Sequence, residues 1–144
     1  MSVPVYKRGE NKLQALVDTI EMCNYIIGMC ENEKIFPKKT RWTLCQRLLD
    51  NCIRAVVSIR QANKVKVETE EDFKFRKSLQ QDVLVYFEAI WAILTIACSQ
   101  YPISKEKIHI ASNKLLQAET TVTAWINSDD KRYKEQLGLN KQLI

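Results

Sequence analysis

The sequence predicts an all-α protein, folded as an antiparallel up-down four-helix bundle. Apolar residues recur at helical spacing in four stretches, most clearly between Leu44 and Ile59. Only three glycines and three prolines occur among 144 residues, and apolar residues make up 46% of the chain, which is typical of one folded domain with its own core. Short links between the helices favour antiparallel neighbours.

The ends of the predicted helices are marked by turn and capping residues. Pro37 disfavours helical dihedrals in the residue before it, so the first helix must end before the turn. Thr40 is expected to cap the second helix, and Thr69 and Asp72 form a capping box for the third. Pro102 stops the third helix and Ser104 caps the fourth. The four predicted helices run from about Asn11 to Asn32, Thr40 to Asn63, Glu70 to Ser99 and Lys105 to Asn127.

These limits divide the chain into three parts. Residues 1–10 are polar and are expected to be a flexible N-terminus. Residues 11–128 form the four-helix bundle. Residues 129–144 are charged, contain Gly138 as a helix breaker, and are expected to form a tail that continues or frays from the fourth helix.

Positive charge is concentrated in the first turn and the second helix. Residues 34–77 contain 12 Lys and Arg against 5 Asp and Glu, whereas the rest of the chain is slightly acidic and the whole chain carries a net charge of +5. Such a region suggests a polyanionic or acidic partner, although a solvated helix face would have the same composition. The candidate residues for binding a polyanion such as nucleic acid are Lys38, Lys39, Arg41, Arg47, Arg54, Arg60 and Lys64.

The third predicted helix has two apolar stripes on different sides. The first stripe, which includes Val83, Phe87 and Leu94, is expected to face the core. A helix that is apolar nearly all round is buried on more than one side. The second stripe, called here the outer stripe, is therefore expected to contact another subunit, with packing on a neighbouring helix of the same chain as the alternative. The outer stripe consists of Val85, Ala89, Ala92 and Ile96.

The residues that usually carry catalysis are scarce. His109 is the single histidine and is expected on the surface, and neither a GxxxxGK[ST] nor a GxGxxG phosphate loop occurs. The inward Glu-x-x-His pairs of metal-binding bundles are also missing. We therefore expect no enzyme, no metal and no cofactor. The five cysteines show no CxxC spacing and are expected to be buried reduced thiols of a cytoplasmic protein: Cys23, Cys30, Cys45, Cys52 and Cys98.

No secretory signal pattern is seen at the N-terminus, and no run reaches the roughly 18 apolar residues of a membrane span. The expected location is therefore the cytoplasm, without a membrane partner.

Four stretches resemble the accessory variability protein, Avd, of diversity-generating retroelements. They are Phe36–Arg47, with the sequence FPKKTRWTLCQR, then Leu79–Ile90, Tyr101–Ser104 and Ala124–Ile126. The similarity spans roughly residues 15–132. The same superfamily includes small bundle proteins encoded by intervening sequences of large-subunit ribosomal RNA, which share a Phe-Pro-x-x-x-Arg turn.

This resemblance implies a specific function. Avd-like proteins are four-helix bundles that assemble as pentameric barrels with a central channel. They bind the reverse transcriptase of the retroelement and its template RNA, and they support mutagenic cDNA synthesis without being enzymes. Their basic surface contributes to binding, which for this chain implies Lys38, Lys39, Arg41, Arg47, Arg54 and Arg60. The alternative is a structural or protein-interaction bundle of the intervening-sequence type, with no polymerase partner.

Overall fold

The computed structural model describes the backbone of residues 10–139 and the side chains of residues 14–139. This part of the chain contains four α-helices and no strand, so the prediction of an all-α four-helix bundle is confirmed. The up-down, antiparallel order of the helices stays a prediction. The helices are α1 (Glu10–Glu31), α2 (Gln46–Lys64), α3 (Glu70–Gln100) and α4 (Lys105–Gln136).

All four helices contribute apolar side chains to one core. The α2 helix packs most extensively on α3, and α1 on α4. Each fully buried aliphatic or aromatic side chain stabilises the fold by about 1.5–3 kcal/mol relative to exposure. The first apolar stripe of α3 lies in this core, as predicted. The largest core side chains include Met22, Ile26, Leu48, Ile59, Phe87, Ile90, Leu115 and Trp125.

The chain enters α2 through two irregular helical turns. A 3-10 turn (Lys38–Thr40) is followed by a π-helical turn (Arg41–Cys45), which continues into α2. The expected capping role of Thr40 is wrong: its hydroxyl donates to the carbonyl oxygen of Pro37 at 2.6 Å and accepts no backbone N–H. The reason is that the helical backbone continues through Thr40, whereas a capping residue has an extended conformation.

The predicted capping box at the start of α3 is confirmed. The Thr69 hydroxyl accepts from the backbone N–H of Asp72 at 3.2 Å, and the Asp72 carboxylate accepts from the backbone N–H groups of Thr69 and Glu68 at 3.1 and 3.0 Å. These hydrogen bonds to Glu68 and Thr69 hold the pKa of Asp72 below its usual value. Ser104 caps α4 as predicted, by accepting from the N–H of Lys107.

Replacing Asp72 by asparagine should weaken the dependence of stability on acid pH. Because the pKa of Asp72 is lower in the folded than in the unfolded state, its contribution is complete above the unfolded pKa of about 4. The contribution is lost as the pH falls through the folded pKa. Urea denaturation between about pH 6 and pH 2 measures this slope. Glu71→Gln, in the same helical turn, is the control, and equal slopes in the wild type and Asp72→Asn would contradict the role of the hydrogen bonds.

The predicted boundary between bundle and tail at residue 128 is incorrect. The α4 helix continues to Gln136, and Asp129 is 3% exposed in a buried ion pair with Arg76. The Gln136 side chain also donates to the carbonyl oxygen of Val67, in the link before α3. The residues assigned to the tail up to 136 are therefore part of the fold. Of the predicted flexible segment 1–10, Glu10 is the first residue of α1, and residues 1–9 and the last five residues of the predicted tail lie outside the described residues.

By length and composition alone, α3 could cross a membrane, since its most apolar 18 residues have a mean hydropathy of 1.6. In the bundle, however, this helix lies between α2 and α4 and supplies core side chains such as Val83, Phe87 and Leu94. Within the bundle, 28% of this 18-residue window is buried.

Candidate nucleic-acid interface

All seven predicted basic residues are exposed, but they do not form one surface. A side chain's direction on a helix rotates by about 100° per residue, so residues seven apart point the same way. The structure divides the seven into three groups: Lys38, Lys39 and Arg41 in the turn before α2, Arg47 and Arg54 on one face of α2, and Arg60 and Lys64 in its last turns.

Arg47 and Arg54 line one groove between α2 and α3, called here the basic groove. It has a volume of about 290 Å³, and Tyr86 and Ile93 form its α3 side. Arg47 and Arg54 are seven residues apart on α2, and Tyr86 and Ile93 are seven residues apart on α3. Each pair therefore spans two helical turns, or about 10 Å. The two arginines are therefore spaced along the groove and do not crowd one site. Asp50 and Asn51 complete its lining.

The guanidinium groups in the basic groove have no ionic partner within the described part of the chain. Asp50 lies three residues after Arg47 and four before Arg54, spacings at which helix side chains can pair, but its carboxylate lies within 4.0 Å of neither guanidinium group. The Asn51 amide donates to the backbone oxygen of Arg47 at 2.8 Å, so it does not occupy the arginine side chain either. Both arginines are exposed and available to an anion, with one carboxylate between them.

The turn group has a mixed electrostatic environment. Lys38 lies 3.8 Å from Glu33, and both side chains are exposed. The ammonium group of Lys39 is 5.4 Å from the ring centre of Tyr101. Arg41 lines a pocket of about 420 Å³, called here the hairpin pocket, which lies between the end of α1 and the turn. Since Glu31 and Glu33 also line this pocket, its positive charge is partly offset.

Arg60 and Lys64 lie on another face of α2. They continue an exposed apolar row in which Ile53 is 60% and Val57 46% exposed, with spacings of four, three and four residues. The structure therefore brings together Arg47 and Arg54, and separates them from Arg60 and Lys64.

A buried ionic cluster at the opposite end of the bundle was not predicted. Arg76 and Asp129 are 5% and 3% exposed, and Nε of Arg76 donates to Oδ2 of Asp129 at 2.6 Å. Arg76 also donates to the carbonyl oxygen of Ala62 at 2.9 Å, and the Gln80 amide donates to Asp129 at 2.8 Å. The guanidinium carbon lies 5.6 Å from the ring centre of Trp125.

This cluster changes the charge count of the basic region. Arg76, and Lys77, which pairs with Asp130 at 2.9 Å, are both neutralised by carboxylates of α4. A signal for the buried pair existed in the sequence, because Arg76 continues the core stripe of α3 seven residues before Val83. Asp129 likewise follows Trp125 by four residues on the core face of α4.

The outer stripe of α3 is not covered by the rest of the described chain. Val85 is 62% and Ile96 51% exposed, Ala92 is exposed, and Ala89 is partly buried. The alternative that this stripe packs on a neighbouring helix of its own chain is therefore not what the structure shows. Four apolar residues in a row on the outside of a helix are a candidate contact for another molecule.

The described residues contain no group of three or more His, Cys, Asp or Glu side chains that could hold a metal ion. His109 is exposed, as predicted, and its Nε2 lies 3.2 Å from the Asn113 amide. The prediction that all cysteines are buried is wrong for Cys98, which is exposed on the outside of α3 next to the buried Ala97. Cys30 is only partly buried. All five thiols are free.

Comparison with known proteins gives no further information on what the basic groove binds. No protein-family model matches the chain, and no curated protein and no solved structure matches it.

Proposed function

We propose that this protein is a non-enzymatic, oligomeric accessory protein that binds nucleic acid through the basic groove and acts together with a reverse transcriptase. The observation that carries the nucleic-acid part is the pair Arg47 and Arg54, exposed, without an ionic partner among the described residues and spaced along one groove. Guanidinium groups bind phosphate oxygens with two donors in a fixed geometry.

Binding of this type depends on the nucleic-acid backbone. Side chains that contact phosphates release bound counterions, so the affinity falls steeply with salt and depends little on base sequence. Asp50 lies between the two arginines and repels phosphates, which favours a ligand whose phosphates approach the two ends of the groove.

The polymerase and the subunit number rest on a different argument. The resemblance to Avd implies a reverse transcriptase as partner and a pentamer as assembly. The exposed outer stripe supports association with further copies, because it offers an apolar contact surface that the chain itself leaves open.

A second candidate function is a protein-interaction bundle without nucleic acid. Exposed apolar side chains in the π-helical turn and on α2 favour it: Trp42 is 74% exposed and lines the hairpin pocket, and Ile53 and Val57 of α2 are 60% and 46% exposed. Tryptophan is enriched among residues that dominate protein interfaces.

The double substitution Arg47→Glu/Arg54→Glu should separate the two candidates. We expect the protein to fold normally, because both side chains are exposed, and to lose at least tenfold in affinity for RNA, because two attractions become two repulsions. Fluorescence anisotropy with a labelled single-stranded RNA at several salt concentrations measures the affinity and its salt slope. The slope of log affinity against log salt concentration should become shallower by the amount expected for the loss of about two phosphate contacts.

The matched control is Lys105→Glu/Lys107→Glu. It makes the same charge change at two exposed positions in the first turn of α4, away from the basic groove. An equal loss of affinity in both variants would indicate a general effect of net charge and would contradict a specific groove. Wild-type protein that does not bind RNA at low salt would favour the protein-interaction bundle.

A further inference from the structure

Four of the five cysteines lie in two pairs, one between α1 and α2 and the other between α1 and the π-helical turn. Cys23 and Cys30 are seven residues apart on α1, and Cys45 and Cys52 are seven residues apart beyond the turn, so each set lies on one side. The Cys23 thiol donates to the backbone oxygen of Cys52 at 3.6 Å. Cys30 and Cys45 line the same pocket, and Cys45 is close enough to raise the pKa of the Cys30 thiol.

The two pairs differ in access to solvent. Cys23 and Cys52 are 6% and 1% exposed and belong to the core. Cys30 is only partly buried, and both Cys30 and Cys45 line the hairpin pocket of about 420 Å³. A small reagent can therefore reach Cys30 through the pocket, whereas Cys45, which lines the same pocket, is only 5% exposed. The Cys45 sulfur is also 3.7 Å from the Thr40 hydroxyl.

We propose that Cys30 and Cys45 form a thiol–disulfide exchange site that reacts with small disulfides entering the hairpin pocket and closes to an intramolecular disulfide. Cys30 is the attacking residue because it is the more exposed of the two. Cys45 is the resolving residue because it lines the same pocket and is the more buried of the two.

The exchange is balanced in two steps. The Cys30 thiolate attacks one sulfur of the small disulfide, a mixed disulfide forms, and the first small thiol leaves with the proton that Cys30 gave up. The Cys45 thiolate then attacks the Cys30 sulfur, the bond between Cys30 and Cys45 forms, and the second small thiol leaves. Two electrons pass from the protein dithiol to the small disulfide, which is the oxidant.

The surroundings of Cys30 make the site slow at neutral pH. Burial, and then the neighbouring Cys45 thiol, raise the pKa of Cys30, so little thiolate is present at pH 7. The exchange rate should therefore rise as the pH increases. The charged groups that line the pocket together with the pair are Glu31, Glu33, Lys38 and Arg41, and the Cys52 thiol is close enough to interact with Cys30.

The new bond would connect the end of α1 to the end of the π-helical turn. It would enclose the turn that carries Lys38, Arg41 and Trp42, in a loop of about 15 residues, and so restrict the unfolded chain. A loop of this size should raise the melting temperature by roughly 5–10 °C for a domain of this length.

The test is an equilibration of the Cys98→Ser variant with mixtures of reduced and oxidised glutathione. Cys98 is removed because its exposed thiol would form mixed disulfides of its own. Free thiols are alkylated and the peptides mapped by mass spectrometry, and the melting temperature is measured on the same samples. We expect a Cys30–Cys45 bond under oxidising mixtures, a higher melting temperature, and full reversal by dithiothreitol.

The matched variant adds Cys30→Ser and should show neither the bond nor the shift. Three results would overturn the proposal: both thiols remaining free in pure oxidised glutathione, glutathione remaining on Cys30 without transfer to Cys45, and a bond between Cys23 and Cys52 in its place. The decisive peptide mapping is done on the Cys98→Ser variant, which retains both Cys30 and Cys45. The outcome therefore does not depend on whether the variant with the added Cys30→Ser substitution folds.

Discussion

Replacing Asp129 by alanine is expected to lower the free energy of unfolding by about 3–5 kcal/mol, because it leaves the buried guanidinium of Arg76 without its counter-charge. Arg76 is 5% exposed and donates to Asp129 at 2.6 Å, so solvent cannot replace the lost carboxylate without opening the bundle. The bond from Arg76 to the carbonyl oxygen of Ala62 remains and offsets only part of this loss. Urea denaturation followed by circular dichroism measures the change.

Asp130→Ala is the matched control, because the neighbouring carboxylate pairs with Lys77 and both side chains are partly exposed. Its expected effect is about 1 kcal/mol or less. The double variant Arg76→Met/Asp129→Leu removes both charges together and should recover much of the stability. A loss below about 1 kcal/mol in Asp129→Ala would show that the pair is hydrated in solution and does not hold this end of the bundle.

A charge at Ala92 is expected to break the proposed oligomer into folded monomers. Ala92 lies in the middle of the outer stripe, where burial at a subunit contact would leave a glutamate without water and without a partner. Val85 and Ile96, at 62% and 51% exposure, supply the apolar area of the proposed contact. The core face of α3 is on the opposite side, so helical content should persist. Light scattering coupled to size-exclusion chromatography measures the mass of Ala92→Glu and of the wild type.

Ala124→Glu is the control, since it places the same charge at an exposed alanine of α4 and should leave the oligomer unchanged. A monomeric wild type would refute the proposed assembly. An unaltered oligomer in Ala92→Glu would place the subunit contact on another face, for which the exposed row of Trp42, Ile53 and Val57 is the next candidate.

The helix ends were predictable where a local chemical signal marks them. Thr69 and Asp72 carry their own hydrogen bonds, and Pro102 excludes helical continuation, so α3 begins as predicted and extends by one residue beyond the predicted end. The end of α4 was missed because the residues from Asn127 onward are polar at almost every position. Polar residues normally indicate a solvent-exposed segment. At this end of the bundle, however, the buried contact is an ion pair, and Asp129 is buried together with Arg76, which lies 53 residues earlier in the chain.

Prediction of the basic groove from the sequence was limited in the same way, to relations within one helix. Helical spacing correctly placed Arg47 and Arg54 on one face of α2, because that relation lies within a single helix. It could not show that Tyr86 and Ile93 of α3 form the other side of the groove, since that depends on how two helices pack. Nor could it place Arg41, because the phase of a regular helix does not continue through the π-helical turn.

That π-helical turn also bears on how a chain of this kind can change in length. A π turn closes hydrogen bonds between residues five apart, so it contains one residue more than an α turn. A relative lacking one residue between Arg41 and Cys45 could continue as regular α-helix into the same α2 core, including Leu48. Residues before the deletion would then be rotated by about 100°, and a different side chain would stand where Trp42 now meets solvent. A single codon lost here would thus exchange the exposed tryptophan surface while leaving core residues of α2 such as Leu48 in place.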